Sequence, residues 1–245
     1  MRCAIVSDIH SNLAAFRAVL AHAEQQGGYE TIWCLGDVVG YGPRPNECVD
    51  LLRGHPHVCV AGNHDWAAVG KLDLGHFNDD AAIAALWTRK VLRQDIRRYL
   101  LSLPIVRVEE EFTLAHGSPR EPIWEYLTSA TRAAASLESF QTRFCLVGHT
   151  HIPIVFRCQT VGGCCVTDPL EERTSLIAEP SRLIINPGSV GQPRDEDPRA
   201  SYAILDTVRP ELQHYRVEYD IASVQEEIYD ADLPPFLAER LSHGW

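Results

Sequence analysis

The sequence predicts an α/β fold in which two mixed β-sheets pack against each other, with helices covering their outer faces. Three observations lead to this prediction. The first half alternates strand-like runs with helical segments, and those runs are continuously apolar, which is typical of a sheet buried on both faces. The second half adds more strands than one open parallel sheet could cover. The 245 residues, 45% of them hydrophobic, suit one large domain spanning residues 1–245.

The first half has a βαβ pattern. An amphipathic helix over residues 12–26 ends at the pair Gly27-Gly28, and a shorter helix begins at Pro45. The strands around these helices are CAIVSD, TIWCLGD and HVCVAGNHD. A longer helical pattern over residues 78–103 closes at Pro104 and is expected to cover one sheet face.

The second half is richer in strands. The segments PIVRVEE and EFTLAHG predict a hairpin, and a helix is expected over residues 131–140. Further strands are predicted at RFCLVGHTH, PIVFRC, TSLIAE, RLIINPG, SYAILDT and HYRVEYD. Residues 159–173 are rich in Gly and charge, which indicates a surface excursion, and one or two helices split by Pro234-Pro235 close the chain.

The charge balance limits the classes of partner. Lys plus Arg number 22 against 33 for Asp plus Glu, and the formal net charge of -11 argues against a broad surface for nucleic acid or anionic membranes. The N-terminal apolar run meets Asp8 and His10 too early for a signal peptide, and no stretch reaches the length of a membrane span. We therefore expect a cytoplasmic protein that does not associate with membranes. The sequence does not indicate the oligomeric state.

The eight cysteines are expected to be reduced thiols, because the chain shows neither a C-x-x-C pair nor a secretion signal. Four of them lie within apolar runs and are expected to be small core residues: Cys3, Cys34, Cys59 and Cys145. The adjacent Cys164 and Cys165 are interpreted as loop residues, and the alternative is a metal-binding or redox role.

Polar side chains follow five of the apolar runs, at the point where each predicted strand ends. The clusters are SDIH with Asp8 and His10, LGD with Asp37, GNHD with Asn63 and His64, LAHG with His116, and GHTH with His149 and His151. Because the loops after parallel strands meet at one edge of a sheet, these side chains are expected to converge on one point. Carboxylate, amide and imidazole groups together suit divalent Zn, Mn, Fe or Co in an open site.

Each cluster taken singly also has an ordinary structural interpretation. Asp8 could cap the following helix, Asp37 could accept hydrogen bonds within a turn, and His116 could be a partly buried histidine. His149 and His151 could be an exposed pair on one side of an extended segment. The occurrence of all five clusters at strand ends is what favours a ligand site.

The motifs, in this order, resemble the signature of the calcineurin-like metallophosphoesterases: D-x-H, G-D, G-N-H-D/E, a single His and G-H-x-H. The segments GDVVGYGP and INPGSVGQPRD, the latter at residues 185–195, are similar to the small bacterial and archaeal phosphodiesterase-like branch. The resemblance implies a four-layer α/β/β/α sandwich with a site for two divalent metal ions. Mn, Fe, Zn, Ni and Co are the candidate ions, and Mn is favoured for activity.

The resemblance also implies a role for each motif residue. Asp8, His10 and His151 would hold one metal ion, Asn63, His116 and His149 would hold the other, and Asp37 would bridge the two. A water shared by the ions would lose a proton and attack phosphorus directly, without a phosphoenzyme. His64 would act as general acid toward the leaving group, and Asp65 would accept the other imidazole N–H of His64.

Departures from the family pattern bear on the substrate. The protein phosphatase branch carries an Arg after the bridging Asp, in G-D-x-V-D-R-G, whereas this chain has GDVVGYG, which disfavours a phosphoprotein. Arg194 and Asn12 are candidate substrate contacts. The alternatives are a surface ion pair of Arg194 with Asp195 or Asp197, and helix capping by Asn12.

The leading hypothesis is a two-metal phosphohydrolase that cleaves small phosphodiesters or phosphomonoesters. Two enzymatic alternatives keep the site but change the substrate to a phosphoprotein or a dinucleoside polyphosphate. A third alternative is a non-catalytic metal-binding scaffold of the same fold, against which the intact set of motif residues argues. The fold resemblance does not fix the substrate.

Overall fold

Two six-stranded mixed sheets form the centre of the fold, in a computed structural model that describes residues 1–159, 164–170, 172–176 and 181–245. The strands are β1 (Arg2–Val6), β2 (Thr31–Cys34), β3 (His57–Cys59), β4 (Val106–Glu109), β5 (Phe112–Ala115), β6 (Phe144–Leu146), β7 (Pro153–Gln159), β8 (Cys165–Pro169), β9 (Arg173–Ser175), β10 (Ser181–Pro187), β11 (Ala200–Asp206) and β12 (Glu211–Val217).

The two sheets each combine a parallel part with an antiparallel part. The first has the order β3-β2-β1-β11-β12-β9, in which β1, β2 and β3 are parallel and the remaining pairings are antiparallel. The second has the order β4-β5-β6-β10-β7-β8, in which β5, β6 and β10 are parallel. The predicted hairpin of β4 and β5 is confirmed as an antiparallel pair.

Eight helices flank the sheets in the described part of the chain. They are α1 (Leu13–Gln25), α2 (Pro45–Arg53), α3 (Asn63–Ala68), α4 (Asp79–Val91), α5 (Gln94–Ser102), α6 (Ala130–Ser136), α7 (Ile221–Asp230) and α8 (Pro235–Glu239). Short 3₁₀ turns lie at Leu74–His76, Leu137–Ser139 and Arg240–Ser242.

The apolar core shows the four predicted layers. In β1, Ala4 and Val6 join a cluster with α1, α2 and α5, whereas Cys3 and Ile5 join the cluster between the two sheets. This alternation follows from the two-residue period of a strand. A further cluster, which includes Ala133 of α6, covers the outer face of the second sheet. The predicted α/β/β/α sandwich with two mixed sheets is therefore confirmed.

One predicted helix, over residues 78–103, is in fact the two helices α4 and α5. Leu92 and Arg93 lie between them in extended conformations, although the sequence there contains neither Pro nor Gly. The Arg93 backbone N–H donates to Asn46 Oδ1 at 2.9 Å, and its guanidinium donates twice to Asp50 on α2. These contacts with α2 stabilise a break that the helical pattern does not reveal.

The expectation that all cysteines are reduced is wrong for one pair. Cys158 and Cys165 form a disulfide, because the antiparallel register of β7 and β8 places them directly opposite each other. Cys165 is thus a strand residue, while Cys164 is exposed and free. The expected core cysteines are buried and free: Cys3, Cys34, Cys59 and Cys145.

Part of the predicted excursion over residues 159–173 is the strand β8, and residues 160–163 and 171 lie outside the described residues. The same holds for residues 177–179 of the predicted strand TSLIAE. Among the helices that are described, none has both the length and the apolar character needed to cross a membrane. The single domain and the cytoplasmic location stay predictions.

Candidate metal centre

The five polar clusters meet at one edge of the sandwich, in the loops that follow β1, β2, β3, β5 and β6. The predicted metal ligands are all buried at this edge, and none is more than 3% exposed: Asp8, His10, Asp37, Asn63, His116, His149 and His151. The convergence predicted from the strand ends is therefore present in the structure.

One group of candidate ligand atoms combines Asp8 and His10 of SDIH with His151 of GHTH. His151 Nε2 lies 3.2 Å from Asp8 Oδ1 and 3.1 Å from His10 Nε2, and His10 Nε2 lies 3.8 Å from Asp8 Oδ1. These atoms come from loops separated by about half the chain. Two imidazole nitrogens and one carboxylate oxygen around a common point suit a divalent ion.

A second group lies beside the first. His116 Nε2 lies 3.2 Å from Asp37 Oδ2, 3.1 Å from His149 Nδ1 and 3.1 Å from Asn63 Oδ1. Asp37 Oδ2 is also 3.8 Å from His10 Nε2 of the first group. Asp37 therefore stands between the two groups, where a carboxylate could contact two ions.

Two buried carboxylate oxygens show that the residues fit metal ions. Among the described residues, Asp8 Oδ1 and Asp37 Oδ2 have no hydrogen-bond donor other than the neighbouring imidazoles of His151 and His116, when these are protonated at Nε2. Their other oxygens are occupied, because Asp8 Oδ2 accepts hydrogen bonds from Ser7 Oγ and His149 N, and Asp37 Oδ1 accepts one from His64 N. A buried carboxylate oxygen without a partner is costly, and a bound cation would offset that cost.

Backbone carbonyls hold three of the histidine rings with Nε2 toward the centre. The Nδ1 contacts are His10 to Val39 O (3.3 Å), His116 to Leu35 O (2.8 Å) and His151 to Gln192 O (2.5 Å). A carbonyl oxygen can only accept, so Nδ1 carries a proton in each ring, and Nε2 offers its lone pair to an ion wherever it is not itself protonated. This is how metal-binding histidines are commonly oriented.

The backbone at the centre adopts conformations that side chains disfavour. The residues with positive φ there are Asp8 (54°), His10 (48°), Asp37 (53°), His149 (66°) and His151 (61°). Such non-glycine conformations cost free energy and concentrate at functional sites. At Gly62 of GNHD, a β-carbon would overlap Asp37 Oδ1, so glycine is required for the close approach of the two loops.

Protonation in the metal-free centre is set by the contacts between carboxylates and imidazoles. Burial favours neutral forms, yet Asp37 outweighs it and raises the pKa of His116 to about 10. Burial likewise opposes ionisation of Asp8, but His151 lowers the pKa of Asp8 to about 2. Burial and neighbouring histidines lower the pKa of His10 and His149. A metal ion would replace the proton that His116 carries beside Asp37.

His64 borders the centre but belongs to neither ligand group. Its ring centre lies 4.9 Å from that of His10 and 4.3 Å from that of Tyr41. His64 Nδ1 has no hydrogen-bond partner among the described residues, and burial lowers the pKa of the ring to about 4. The imidazole is thus held in place by packing, with a nitrogen unused by the protein.

The expected pairing of Asp65 with His64 is wrong. Asp65 Oδ2 accepts hydrogen bonds from the backbone N–H groups of Asp37 (2.8 Å) and Gly62 (3.0 Å), and Oδ1 accepts one from Val39 N (3.1 Å). The side chain projects from the first turn of α3, away from the neighbouring imidazole. Asp65 therefore ties the Asp37 loop to the GNHD loop.

The two candidate substrate residues differ in their surroundings. Asn12 caps α1, since its Oδ1 accepts from Ala15 N and its Nδ2 donates to Gly191 O, which favours the capping alternative. Arg194 donates to Gln192 Oε1 at 2.9 Å, and it does not form the alternative ion pair with Asp195 or Asp197. Those carboxylates pair instead with Arg216 and Arg199.

Two aromatic residues at the centre escape sequence reasoning. Tyr41, in the segment GDVVGYGP, packs its ring 4.7 Å from the ring centre of His10. Tyr126 stacks on His149, with ring centres 3.9 Å apart, and remains 42% exposed. Tyr41 lies within the motif GDVVGYGP, so the sequence could have identified it as a residue of the site. Nothing in the sequence around Tyr126 distinguishes that residue.

Comparison with known proteins agrees with this geometry. Residues 1–209 match the model of the calcineurin-like phosphoesterase superfamily domain. The chain belongs to this family. As a calcineurin-like phosphoesterase, it is a hydrolase that acts on ester bonds, and the family's dependence on metals agrees with the two ligand groups.

Relatives extend the likeness beyond that domain. A metallophosphoesterase from Sphaerobacter thermophilus, known from its crystal structure, is 44% identical, with a TM-score of 0.89 and coverage of 100% of this chain and 99% of that one. An uncharacterized protein of Methanocaldococcus jannaschii is 42% identical over 246 residues, covering 98% of this chain and 97% of the relative. The symmetrical bis(5'-nucleosyl)-tetraphosphatase of Vibrio cholerae is 30% identical over 141 residues, which are 55% of this chain and 50% of that enzyme.

Proposed function

We propose that this phosphoesterase binds two divalent ions at the centre and hydrolyses small phosphodiesters or phosphomonoesters. The observation that carries the proposal is the position of Asp37 Oδ2, which lies 3.2 Å from His116 Nε2 and 3.8 Å from His10 Nε2, between the two ligand groups. When bound, the ions would supply a nucleophilic hydroxide from water and stabilise the charge of the phosphoryl oxygens.

The residues of the chain would divide the binding work. Asp8, His10 and His151 would hold one ion, Asn63, His116 and His149 the other, and Asp37 both. Mixed nitrogen and oxygen ligation admits Mn, Fe, Zn, Ni or Co, and we propose Mn²⁺ as the activating ion. The carbonyls that fix Nδ1 of His10, His116 and His151 would keep these ligands preorganised before an ion arrives.

His64 would donate a proton to the leaving oxygen, and it would take up that proton when the negatively charged phosphoester binds, because in the empty site burial lowers its pKa to about 4. It is the one histidine of the five clusters outside both ligand groups, and its Nδ1 has no partner among the described residues. Its ring packs against His10 and Tyr41, so it borders the place where a phosphoester would sit. General acids of this kind contribute about 10²–10⁴-fold to the rate.

The experiment that tests this function compares His64→Ala with the wild type on p-nitrophenyl and alkyl phosphoesters in the presence of Mn²⁺. We expect unchanged metal content and a loss of kcat of about 10²-fold or more on the alkyl ester, whose leaving group needs a proton. The loss should be much smaller on the nitrophenyl ester. His55→Ala, a histidine remote from the centre that contacts Tyr29, serves as the control. Normal turnover of the alkyl ester by the His64 variant would refute the role.

A second candidate substrate is a dinucleoside polyphosphate. The similarity to the Vibrio cholerae tetraphosphatase supports it, although that match covers about half of each chain. Relative kcat/KM values for a dinucleoside tetraphosphate, bis-p-nitrophenyl phosphate and p-nitrophenyl phosphate would rank the substrates. A phosphoprotein stays disfavoured, since GDVVGYG lacks the arginine of the phosphatase branch.

A further inference from the structure

Two arginines that form no ion pair among the described residues lie close to Tyr41, next to the metal centre. The Cζ atoms of Arg194 and Arg240 are 5.9 Å and 6.0 Å from the centre of the Tyr41 ring. Among the described residues, no carboxylate oxygen comes within the 4.0 Å of an ion pair with either guanidinium, whereas Arg93, for example, pairs with Asp50. Two guanidiniums near the same ring, beside the centre and without a carboxylate at contact distance, suit an anion.

The two arginines stand at different distances from the ligand groups. The Arg194 backbone N–H donates to His151 O, so this residue adjoins the first group directly. Arg240 comes from the turn after α8, and its Nε donates to the carbonyl of Trp245 at 2.6 Å. Burial and the charge of Arg194 lower the pKa of Arg240 to about 10, which still leaves it charged at neutral pH. Arg240 thus places a positive charge beside Tyr41, where it could bind an anion.

Arg240 also lines a cleft of about 430 Å³ whose other walls carry distinct chemistry. Phe236 presents a ring that is 45% exposed and lies 5.4 Å from Arg240 Cζ. Asn78, Asp79 and Asp80, at the start of α4, also line the cleft. A guanidinium binds phosphate, an exposed ring stacks with a base, and carboxylates accept hydrogen bonds from exocyclic amino groups.

We propose that this cleft is a distal substrate subsite that binds a phosphorylated nucleoside, with Arg240 on its phosphate and Phe236 against its base. Tyr41 lines both the cleft and the His10 side of the centre, so a substrate could hold one phosphoryl group at the metal ligands and extend past Tyr41. The proposal rests on the proposed function, and it selects nucleotide esters with more than one phosphate as the substrate class. Both subsite residues lie outside the matched family domain of residues 1–209.

The test compares diadenosine tetraphosphate with bis-p-nitrophenyl phosphate, which has one phosphate and no nucleoside. We expect Arg240→Gln to raise KM for the tetraphosphate about tenfold or more with kcat within about threefold, because a charge-assisted hydrogen bond to phosphate is lost. For the nitrophenyl ester, the fold decrease in kcat/KM caused by Arg240→Gln should be at least ten times smaller than for the tetraphosphate. Arg93→Gln, an exposed arginine paired with Asp50 and Asp95, should leave both substrates unaffected.

Phe236→Ala tests the same cleft while keeping the Arg240 side chain, although it removes the ring that Arg240 contacts, and it should raise KM for the tetraphosphate about fivefold or more through lost stacking. Equal losses on both substrates, or an unchanged KM for the tetraphosphate in both variants, would overturn the subsite. So would a wild-type protein that cleaves the nitrophenyl ester and leaves the tetraphosphate intact. Failure to cleave either substrate with any metal ion would contradict the proposed function instead.

Discussion

At the scale of single residues, the centre depends on groups that fix the candidate ligands. Carbonyls of Val39, Leu35 and Gln192 hold three imidazoles, and Ser7 holds the occupied oxygen of Asp8. Asp65 fixes two loops at once through three backbone N–H groups. The centre is therefore built from loops that bind each other before any ion is added.

Asp65→Asn tests whether Asp65 holds the Asp37 loop and the GNHD loop together. An amide places an NH₂ group against backbone donors in a buried site, so we expect the free energy of unfolding to fall by about 2–4 kcal/mol and metal occupancy to fall with it. Urea denaturation with elemental analysis measures both. Asp73→Asn is the control: this exposed side chain accepts one hydrogen bond, from Gly75 N, and its replacement should lower the free energy of unfolding much less. Slower turnover with unchanged stability would show instead that Asp65 acts through His64.

Sequence reasoning located the candidate site better than it located the partners of each residue. The motifs follow strand ends, and the parallel order of β1, β2 and β3 brings those ends together. Adjacent position suggested that Asp65 would orient His64, but the first turn of α3 directs neighbouring side chains apart. Arg240 carries no motif, because only the folding of the C-terminal segment onto Tyr41 gives it a place at the site.

At the scale of elements, contacts between segments distant in the sequence determine structural features that local sequence patterns do not predict. Most strands and most helices lie where apolar periodicity predicted them. The break at Arg93 depends on Asn46 and Asp50 of α2, which no window of local sequence contains. The strand β8 and the disulfide of Cys158 with Cys165 depend on the register with β7. Local propensity is a weak guide wherever such contacts outweigh it.

The pairing of β11 with β12 carries a pH-dependent contribution from His214. Its Nε2 lies 2.8 Å from Ser201 Oγ, and burial, together with Arg216, lowers the pKa of the imidazole to about 4. The unfolded chain binds a proton near pH 6.5, so folding is favoured above that pH and loses this contribution as the pH falls toward 4. The total is on the order of 3 kcal/mol.

His214→Gln isolates this contribution from that of the other buried histidines. As the pH falls from 7 to 4, we expect the free energy of unfolding of the wild type to decrease by about 2–3 kcal/mol relative to that of the variant. Urea denaturation across this range measures it. A His214→Gln difference that does not depend on pH would contradict the buried neutral imidazole.

At the scale of the whole molecule, four layers place strand ends from both sheets at one edge, and the C-terminal segment adds a wall to it. The first sheet contributes Asp8, Asp37 and Asn63, and the second contributes His116 and His149. Two sheets packed face to face can therefore assemble a ligand set that neither sheet holds alone. The net charge of -11 is compatible with a cation-binding enzyme, and two arginines, Arg194 and Arg240, lie beside Tyr41 near the site.

The central claim is that this edge holds two divalent ions, and metal stoichiometry tests it most directly. Elemental analysis after loading with Mn²⁺ and removal of free ions should give about two ions per chain for the wild type. Asp37→Asn should give one or fewer, because Asp37 lies between both ligand groups. Less than one ion per chain in the wild type, with no phosphoester hydrolysis under any of the candidate ions, would contradict the account.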